Sequence, residues 1–233
     1  MQQPAPRILI VRVGAMGDVL HGLPAVAALR AALPKAVIGW AVEPRWAPLL
    51  SAGNSAGLQP LVDAVHLVQA KAWSKRPFSF ETLRSIQGLR ESLRREQYDI
   101  AIDLQGSIRS ALIAKASGAS RIIGSAAPRE TPARIFYTER VALTASHVID
   151  EAIEIASAAV HIPLSPGIAP LPVDAAAEAW CDAFLGSDCR PIVFLAPTAG
   201  WGAKQWPARR YGELAQQLAR GGYRVLVNAS PHG

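Results

Sequence analysis

Short apolar runs alternate along the chain with longer segments of helical periodicity. The first run, Arg7 to Val13, is rich in β-branched residues and ends at Gly14. The segment that follows, Gly17 to Leu33, repeats apolar residues at roughly helical spacing. This order predicts a buried strand followed by a helix.

The same alternation continues for two thirds of the chain. Further strands are predicted at Val37 to Val42, Val62 to Val68 and Asp99 to Leu104, and further helices at Phe80 to Glu96, Ser107 to Ala116 and Ser146 to Val160. Strands separated by helices imply a parallel sheet covered by helices on both faces. The pattern therefore predicts an α/β fold.

A proline-rich segment of low charge, residues 161–173, interrupts this pattern and is typical of a hinge or linker. The alternation then restarts with a short helix near Asp174 to Leu185, a strand at Ile192 to Ala196, a helix from Pro207 to about Arg220 and a strand at Arg224 to Asn228. We therefore predict a first domain over residues 1–165, a linker region over 166–190 and the start of a second domain over 191–233. One βαβ unit is too little for a three-layer core, so we expect most of the second domain to be missing from this chain.

Composition indicates a globular protein without a membrane span. Half of the 233 residues are hydrophobic and 18% are charged. The longest uncharged stretch contains four prolines, which a spanning helix would not carry, and the N-terminal residues do not resemble a secretory signal. We expect a cytoplasmic protein, in which Cys181 and Cys189 are too few for a disulfide framework.

The charge balance favours anionic partners. The chain has 24 Lys and Arg residues against 18 Asp and Glu residues, a formal net charge of +6. Basic residues are concentrated between positions 71 and 95, and the segment Lys71 to Pro77 places aromatic residues among cations. Such a segment suits nucleic acid or an anionic sugar, and the alternative is an ordinary solvated loop.

The turn after the first strand, with the sequence GAMGDVLH, has the clearest chemical signal. Ligands of open α/β sheets bind at the carboxyl ends of the strands, where Gly14 and Gly17 allow close approach to the backbone. The dinucleotide fingerprint G-x-G-x-x-G is absent. Asp18 would repel a pyrophosphate but suits a hydroxyl that must lose a proton, and the alternative is that it only caps the helix.

Two more turns could contribute to the same crevice. Asp103 begins the sequence DLQG at the end of another strand, where it could equally be a turn residue. The segment Pro197 to Lys204 places small residues and one lysine before a helix, which suits a phosphate, although a solvated lysine is the commoner case. The five histidines show no metal-ligand spacing, and we predict no metal, no cofactor and no nucleophilic catalysis.

Four segments together resemble the lipopolysaccharide heptosyltransferase family, in the same order as in that family: RILIVRVGAMGDVLHGLPAVAALR, YDIAIDLQGSIRSAL, RETPARIFY and AKQWPARRYGELAQQL. The motifs are most like those of the type I enzymes. The resemblance implies a GT-B fold, with two facing Rossmann-like domains of which the second is incomplete in this chain. It also implies that the first domain binds the acceptor and the second binds a nucleotide sugar.

The resemblance also implies roles for individual residues. Asp18 corresponds to the family's catalytic base, and donor phosphates would be bound by Gly17, Thr198 and Lys204. The acidic acceptor would meet Arg12, Lys71, Lys75, Arg76, Gln105 and Arg129.

The implied reaction is an inverting, metal-independent transfer of heptose from ADP-heptose to the Kdo region of lipid A. The enzyme would lie peripherally at the anionic inner face of the inner membrane, with no nucleic-acid partner, and this chain alone should not turn over. The alternative is a non-catalytic nucleotide-sugar or nucleic-acid binding module. Asp18 argues against that alternative, because a binding site for anions gains nothing from a carboxylate.

Overall fold

The computed structural model describes residues 5–50, 60–198 and 205–228, and it divides the chain into two compact units. The first unit comprises Met1–Val173 and the second comprises Asp174–Gly233. The residues predicted as a linker, 166–190, therefore fall on both sides of the division.

The first unit is built on a six-stranded, wholly parallel sheet with the strand order β3-β2-β1-β4-β5-β6. Its strands are β1 (Arg7–Val11), β2 (Val37–Val42), β3 (Ala64–Leu67), β4 (Ile100–Asp103), β5 (Arg121–Ser125) and β6 (Glu139–Val141). The α/β prediction is confirmed. The strand order reverses at β1, which pairs with both β2 and β4, and such a reversal opens a crevice at the carboxyl edge of a sheet.

Helices connect the strands of the first unit. They are α1 (Met16–Ala32), α2 (Ala70–Lys75), α3 (Phe80–Arg95), α4 (Ile108–Ala116) and α5 (Val148–Val160), with 3₁₀ helices at Pro44–Leu50 and Thr131–Phe136. Two strands and one helix were not predicted. The strands are β5 (Arg121–Ser125) and β6, which has only the three residues ERV. The helix is α2, which lies in the basic segment that the composition predicted as a loop.

Each face of the sheet has its own core. Helices α1 and α5 cover one face, where Trp40 is fully buried, and α3 and α4 cover the other, where Tyr98 and Tyr137 are buried. Because both faces are covered, the central strand β1 is apolar at almost every position, as is usual in parallel sheets. Close packing also demands glycine at position 39, where a Cβ would collide with the Tyr98 hydroxyl.

Serine side chains fix where two helices start at the carboxyl edge of the sheet. Ser79 Oγ accepts a hydrogen bond from the Thr82 backbone at the start of α3, and Ser107 Oγ accepts one from Ser110 at the start of α4. These are ordinary N-caps. They fix the first turn of α4 directly after the loop at the end of β4.

The proline-rich segment is attached to the first unit. Gly167 donates its N–H to the Pro24 carbonyl of α1 at 3.1 Å. A Cβ at Gly167 would lie 2.8 Å from the Ala27 Cβ, so the chain passes very close to the helix here. This part of the predicted linker is therefore packed against α1.

The second unit contains α6 (Ala175–Leu185), β7 (Ile192–Leu195), α7 (Ala208–Arg220) and β8 (Arg224–Val227), and its two strands are parallel. Asp174 caps α6 by accepting hydrogen bonds from two backbone N–H groups. Arg224 donates to the carbonyls of Phe184 and Leu185, which joins β8 to the end of α6. Among the described residues, no helix is long and apolar enough to cross a membrane.

A buried histidine predicts a pH-dependent stability of the first unit. His66 contacts Tyr98 Oη at 2.7 Å and Ser92 Oγ at 2.9 Å, and burial lowers the pKa of its imidazole while nearby Glu96 raises it. The unfolded chain binds a proton here below about pH 6.5, and the folded chain resists it. Protonation therefore favours the unfolded state, and stability should fall as the pH decreases below that value, by at most about 1.4 kcal/mol per pH unit.

Urea denaturation at several pH values between 5 and 8 checks this expectation. The variant His66→Gln cannot titrate, so its free energy of unfolding should fall less steeply on acidification than that of the wild type. Parallel pH profiles for the two proteins would show that His66 is not responsible.

Candidate active site at the carboxyl edge of the sheet

Asp18 lies in the first turn of α1, at the carboxyl end of the central strand β1. One carboxylate oxygen accepts a hydrogen bond from the Ala15 N–H at 3.1 Å, and the other lies 3.2 Å from a guanidinium nitrogen of Arg12. The side chain is 38% exposed. The capping role proposed as an alternative is therefore present, but it leaves the carboxylate open to solvent and to a ligand.

Arg12 is buried behind Asp18 and not on the protein surface. Its side chain is 11% exposed and donates to the Leu104 carbonyl as well as to Asp18. The Trp40 indole N–H in turn donates to the Arg12 carbonyl at 3.0 Å. Because the guanidinium group bridges the ends of β1 and β4, it holds the Asp18 carboxylate in one orientation.

Asp103 at the end of β4 organises the loop beside Arg12. Its Oδ1 accepts from the backbone N–H groups of Gln105 and Gly106, and its Oδ2 accepts from the hydroxyls of Ser110 and Tyr137 at 2.8 and 2.7 Å. Burial raises the pKa of Asp103, and these four hydrogen bonds oppose the rise. Asp103 is therefore a turn residue that fixes the loop, one of the two roles that its position allowed.

The loop that Asp103 holds brings Gln105 and Arg129 to the crevice. Gln105 Oε1 accepts a hydrogen bond from the Val13 N–H at 2.8 Å, which ties the loop to the end of β1. Gly106 has a φ of +66°, and a Cβ there would lie 3.0 Å from the Arg129 backbone nitrogen, so only glycine fits comfortably. The Arg129 side chain is exposed.

A cavity of about 140 Å³ lies between these residues and is lined by Arg12, Gln105, Arg129 and Glu151, among others. Three predicted acceptor residues, Arg12, Gln105 and Arg129, thus lie around one cavity. Gly17 is exposed one residue before Asp18, and its α-carbon faces open space, because a Cβ there would meet no atom within 4 Å.

The remaining predicted acceptor residues lie on the short helix α2 and its C-terminal cap. Lys71, Lys75 and Arg76 are exposed cations without an ion pair in the described part of the chain. The Trp73 indole N–H on the same helix donates to Ser85 Oγ of α3 at 3.1 Å. This contact orients α2 against α3.

The predicted donor residues of the second unit are only partly described. Thr198 is exposed and follows β7. Lys204 lies outside the described residues, as do residues 199–203 of the loop before α7. Over residues 5–50, 60–198 and 205–228, no group of three or more His, Cys, Asp or Glu side chains could hold a metal ion.

Two structural residues of the site were not predicted from the sequence. Tyr137 buries its ring against the sheet and donates to Asp103, and Glu130 accepts from the Ile108 N–H at the start of α4. Burial and the neighbouring Asp103 carboxylate raise the pKa of the Tyr137 hydroxyl. Both residues belong to the segment RETPARIFY, but no local pattern shows that it packs beside β4.

The family model for glycosyltransferase family 9 (heptosyltransferase) matches residues 86–233, more than half of the chain. The chain belongs to glycosyltransferase family 9. This places it among the glycosyltransferases and confirms the resemblance found in the sequence motifs.

Individual relatives extend the match to nearly the whole chain. Lipopolysaccharide heptosyltransferase 1 of Pseudomonas aeruginosa is 29% identical over 95% of the chain, and that of Escherichia coli K12 is 30% identical over 97%. The chain spans 60% of the length of the first relative and 69% of the second.

A solved structure of E. coli heptosyltransferase WaaC with ADP-2-deoxy-2-fluoro heptose has a TM-score of 0.74 to this family 9 chain at 28% identity. The alignment covers 97% of this chain and 70% of that one. The fold is therefore that of the heptosyltransferases, which supports the GT-B prediction.

Proposed function

We propose that this family 9 chain is part of an enzyme that transfers heptose from ADP-heptose to the Kdo region of lipid A, with inversion and without a metal. The observation that carries the proposal is the half-exposed Asp18 carboxylate, held by Arg12 and the Ala15 N–H at the carboxyl edge of the sheet. The heptosyltransferase relatives and the WaaC structure with an ADP-heptose analogue support the donor.

In the proposed reaction Asp18 acts as general base. It accepts the proton of an acceptor hydroxyl as that oxygen forms a bond to the anomeric carbon of heptose, and the bond to the ADP oxygen breaks with its electron pair. Arg12 keeps one Asp18 oxygen oriented, and the exposed part of the carboxylate faces the acceptor. The negative charge that develops on ADP requires positive partners, for which we propose Lys204 with Thr198 and Gly17.

The acceptor carries carboxylates and phosphates, which we propose to meet Arg129 and Gln105 at the crevice and Lys71, Lys75 and Arg76 on α2. All three cations of α2 are exposed and have no carboxylate partner among the described residues. The same positive surface supports a peripheral position at the cytoplasmic face of the inner membrane, where anionic lipids attract basic residues.

Mass spectrometry of the reaction product tests the proposal. The intact protein is incubated with ADP-heptose and Kdo2-lipid A, and addition of one heptose to the acceptor is expected, also in the presence of a metal chelator. Binding of both substrates without a product would instead favour the non-catalytic binding module. Loss of the product on chelation would contradict metal independence.

Replacing Arg12 should slow the reaction without removing acceptor binding. The variant Arg12→Met keeps much of the apolar side chain but cannot hydrogen-bond to Asp18. Loss of a charge-assisted hydrogen bond of about 1.5–3 kcal/mol corresponds to a roughly 10- to 150-fold lower kcat. The KM for the acceptor should change less than kcat, because Arg12 is buried behind Asp18. A selective rise of that KM would mean that Arg12 contacts the acceptor directly.

Neutralising the cations of α2 should weaken acceptor recognition. Replacement of Lys71, Lys75 and Arg76 by Gln should raise the KM for Kdo2-lipid A and leave that for ADP-heptose unchanged. The effect should diminish with added salt, because exposed charges are screened. Steady-state kinetics at two ionic strengths checks this expectation.

A matched control removes the same charge from the opposite edge of the sheet. Lys35, Arg95 and Lys115 are exposed and precede β2, β4 and β5, so they lie at the amino ends of the strands. Their replacement by Gln should leave both KM values unchanged. Equal effects of the two triple variants would show that only net charge matters.

A further inference from the structure

A groove of about 670 Å³ runs between α3, α4 and α2 on the outer side of the first unit. Its volume lies within the range of roughly 300–1,000 Å³ that is common for small-molecule sites. The proposed transfer reaction assigns no role to the apolar side chains that line the groove. The groove is therefore a feature that the proposed reaction leaves unexplained.

The lining of the groove is apolar and exposed. Ile86 of α3 and Ile108 and Leu112 of α4 are 43%, 38% and 49% exposed. Ile108 and Leu112 are four residues apart and share one face of α4. The half-buried Trp73 of α2 also lines the groove. Contiguous exposed apolar surface of this kind is typical of a binding site.

Positive charge surrounds this apolar surface. Arg90, Arg109 and Arg129 line the groove, and in the described part of the chain none of their guanidinium groups makes a hydrogen bond or an ion pair. Glu130 is the one carboxylate of the lining, and it is already engaged by the Ile108 N–H at 2.9 Å. A ligand that matches this arrangement is apolar along its length and anionic at its head.

The groove adjoins the crevice. Gln105 and Arg129 line both the groove and the cavity that contains Arg12. A molecule in the groove can therefore be part of the molecule whose hydroxyl approaches Asp18.

We propose that the groove between α3 and α4 binds one hydrocarbon chain of an acylated anionic amphiphile, with the anionic groups of that molecule at Arg90, Arg109 and Arg129. The inference rests on the proposed function in so far as this amphiphile is the acceptor. A single chain in a concave groove differs from adsorption to a bilayer surface, because the chain leaves the lipid phase and contacts Ile86, Leu112 and Trp73.

Calorimetry with alkyl phosphates of different length tests the proposal without any transfer reaction. Dodecyl phosphate, kept below its micelle-forming concentration, should bind the protein about 10²-fold more tightly than butyl phosphate. Each methylene removed from water contributes up to about fourfold, and a solvent-open groove covers only part of the chain. Binding should change tryptophan emission, and Trp73→Phe should abolish that change.

Substitutions of exposed apolar residues inside and outside the groove provide a comparison. The double variant Ile86→Gln with Leu112→Gln should weaken dodecyl phosphate binding about tenfold and leave butyl phosphate binding unchanged. Leu83→Gln is the control, because Leu83 is 57% exposed on the same helix α3 but does not line the groove. Circular dichroism verifies that both variants fold.

Equal affinities for butyl and dodecyl phosphate would overturn the proposal, as would equal effects of the groove variant and Leu83→Gln. The groove variant could also lose binding to phosphatidylglycerol vesicles while it binds monomeric dodecyl phosphate as tightly as the wild type. That result would overturn the proposal in favour of adsorption to a bilayer surface. Groove binding that persists in a protein without heptose transfer supports the groove and refutes only the proposed function.

Discussion

Replacing Asp18 by Asn is expected to lower the kcat of heptose transfer by about 10²–10⁴-fold. An amide keeps the size of the side chain but cannot accept the acceptor's proton, and general-base catalysis commonly contributes a factor in this range. The KM values should change much less. Steady-state and single-turnover kinetics of the intact protein measure the effect.

The structure also defines the competing role of Asp18, since its carboxylate accepts the Ala15 N–H at the start of α1. If capping and the helix dipole were its main contribution, Asp18→Asn would lower stability by up to about 1 kcal/mol and leave turnover nearly unchanged. Asp150→Asn is a matched control, because Asp150 is an exposed acidic residue in the first turn of α5 at the same edge. Similar kinetics for the two variants would remove Asp18 from the chemistry.

Replacing Asp103 by Ala is expected to lower the free energy of unfolding of the first unit by about 3–5 kcal/mol. The change leaves two backbone N–H groups and the hydroxyls of Ser110 and Tyr137 without their acceptor, and each unsatisfied buried group costs about 1–3 kcal/mol unless water replaces it. Such losses are among the largest found for single substitutions. Urea denaturation measures the difference.

Asp103→Asn separates loss of hydrogen bonds from loss of volume. The amide oxygen can still accept from the two backbone N–H groups, and the amide nitrogen can donate to hydroxyls that rotate. We expect Asp103→Asn to lower the free energy of unfolding by less than half as much as Asp103→Ala does. An equally small decrease in the free energy of unfolding for both variants would show that water replaces Asp103 as the acceptor for these hydrogen-bond donors.

Periodicity was sufficient to predict most of the first unit. The run RILIV and the spacing of Phe80 to Arg95 depend on local patterning, and the corresponding strand and helix were predicted within one or two residues. By contrast, β6 is three residues long with alternating exposure, and its position is fixed by pairing with β5. Local sequence contains no information on such pairing.

Prediction of the candidate site from local sequence has the same limit. Asp18 could be singled out because a carboxylate near a helix start and next to glycines is a local feature. The burial of Arg12 could not be predicted, since it depends on the Leu104 carbonyl more than ninety residues away in the chain. Tyr137 likewise reaches Asp103 only because β5 lies beside β4.

Hydrogen exchange with and without Kdo2-lipid A tests the central claim most directly, namely that the carboxyl edge of the first sheet is the acceptor site. The account predicts slower amide exchange in three loops at this edge, residues 13–18, 104–107 and 127–130. Protection of the loops at the opposite edge instead, residues 33–36, 96–99 and 117–120, would contradict it.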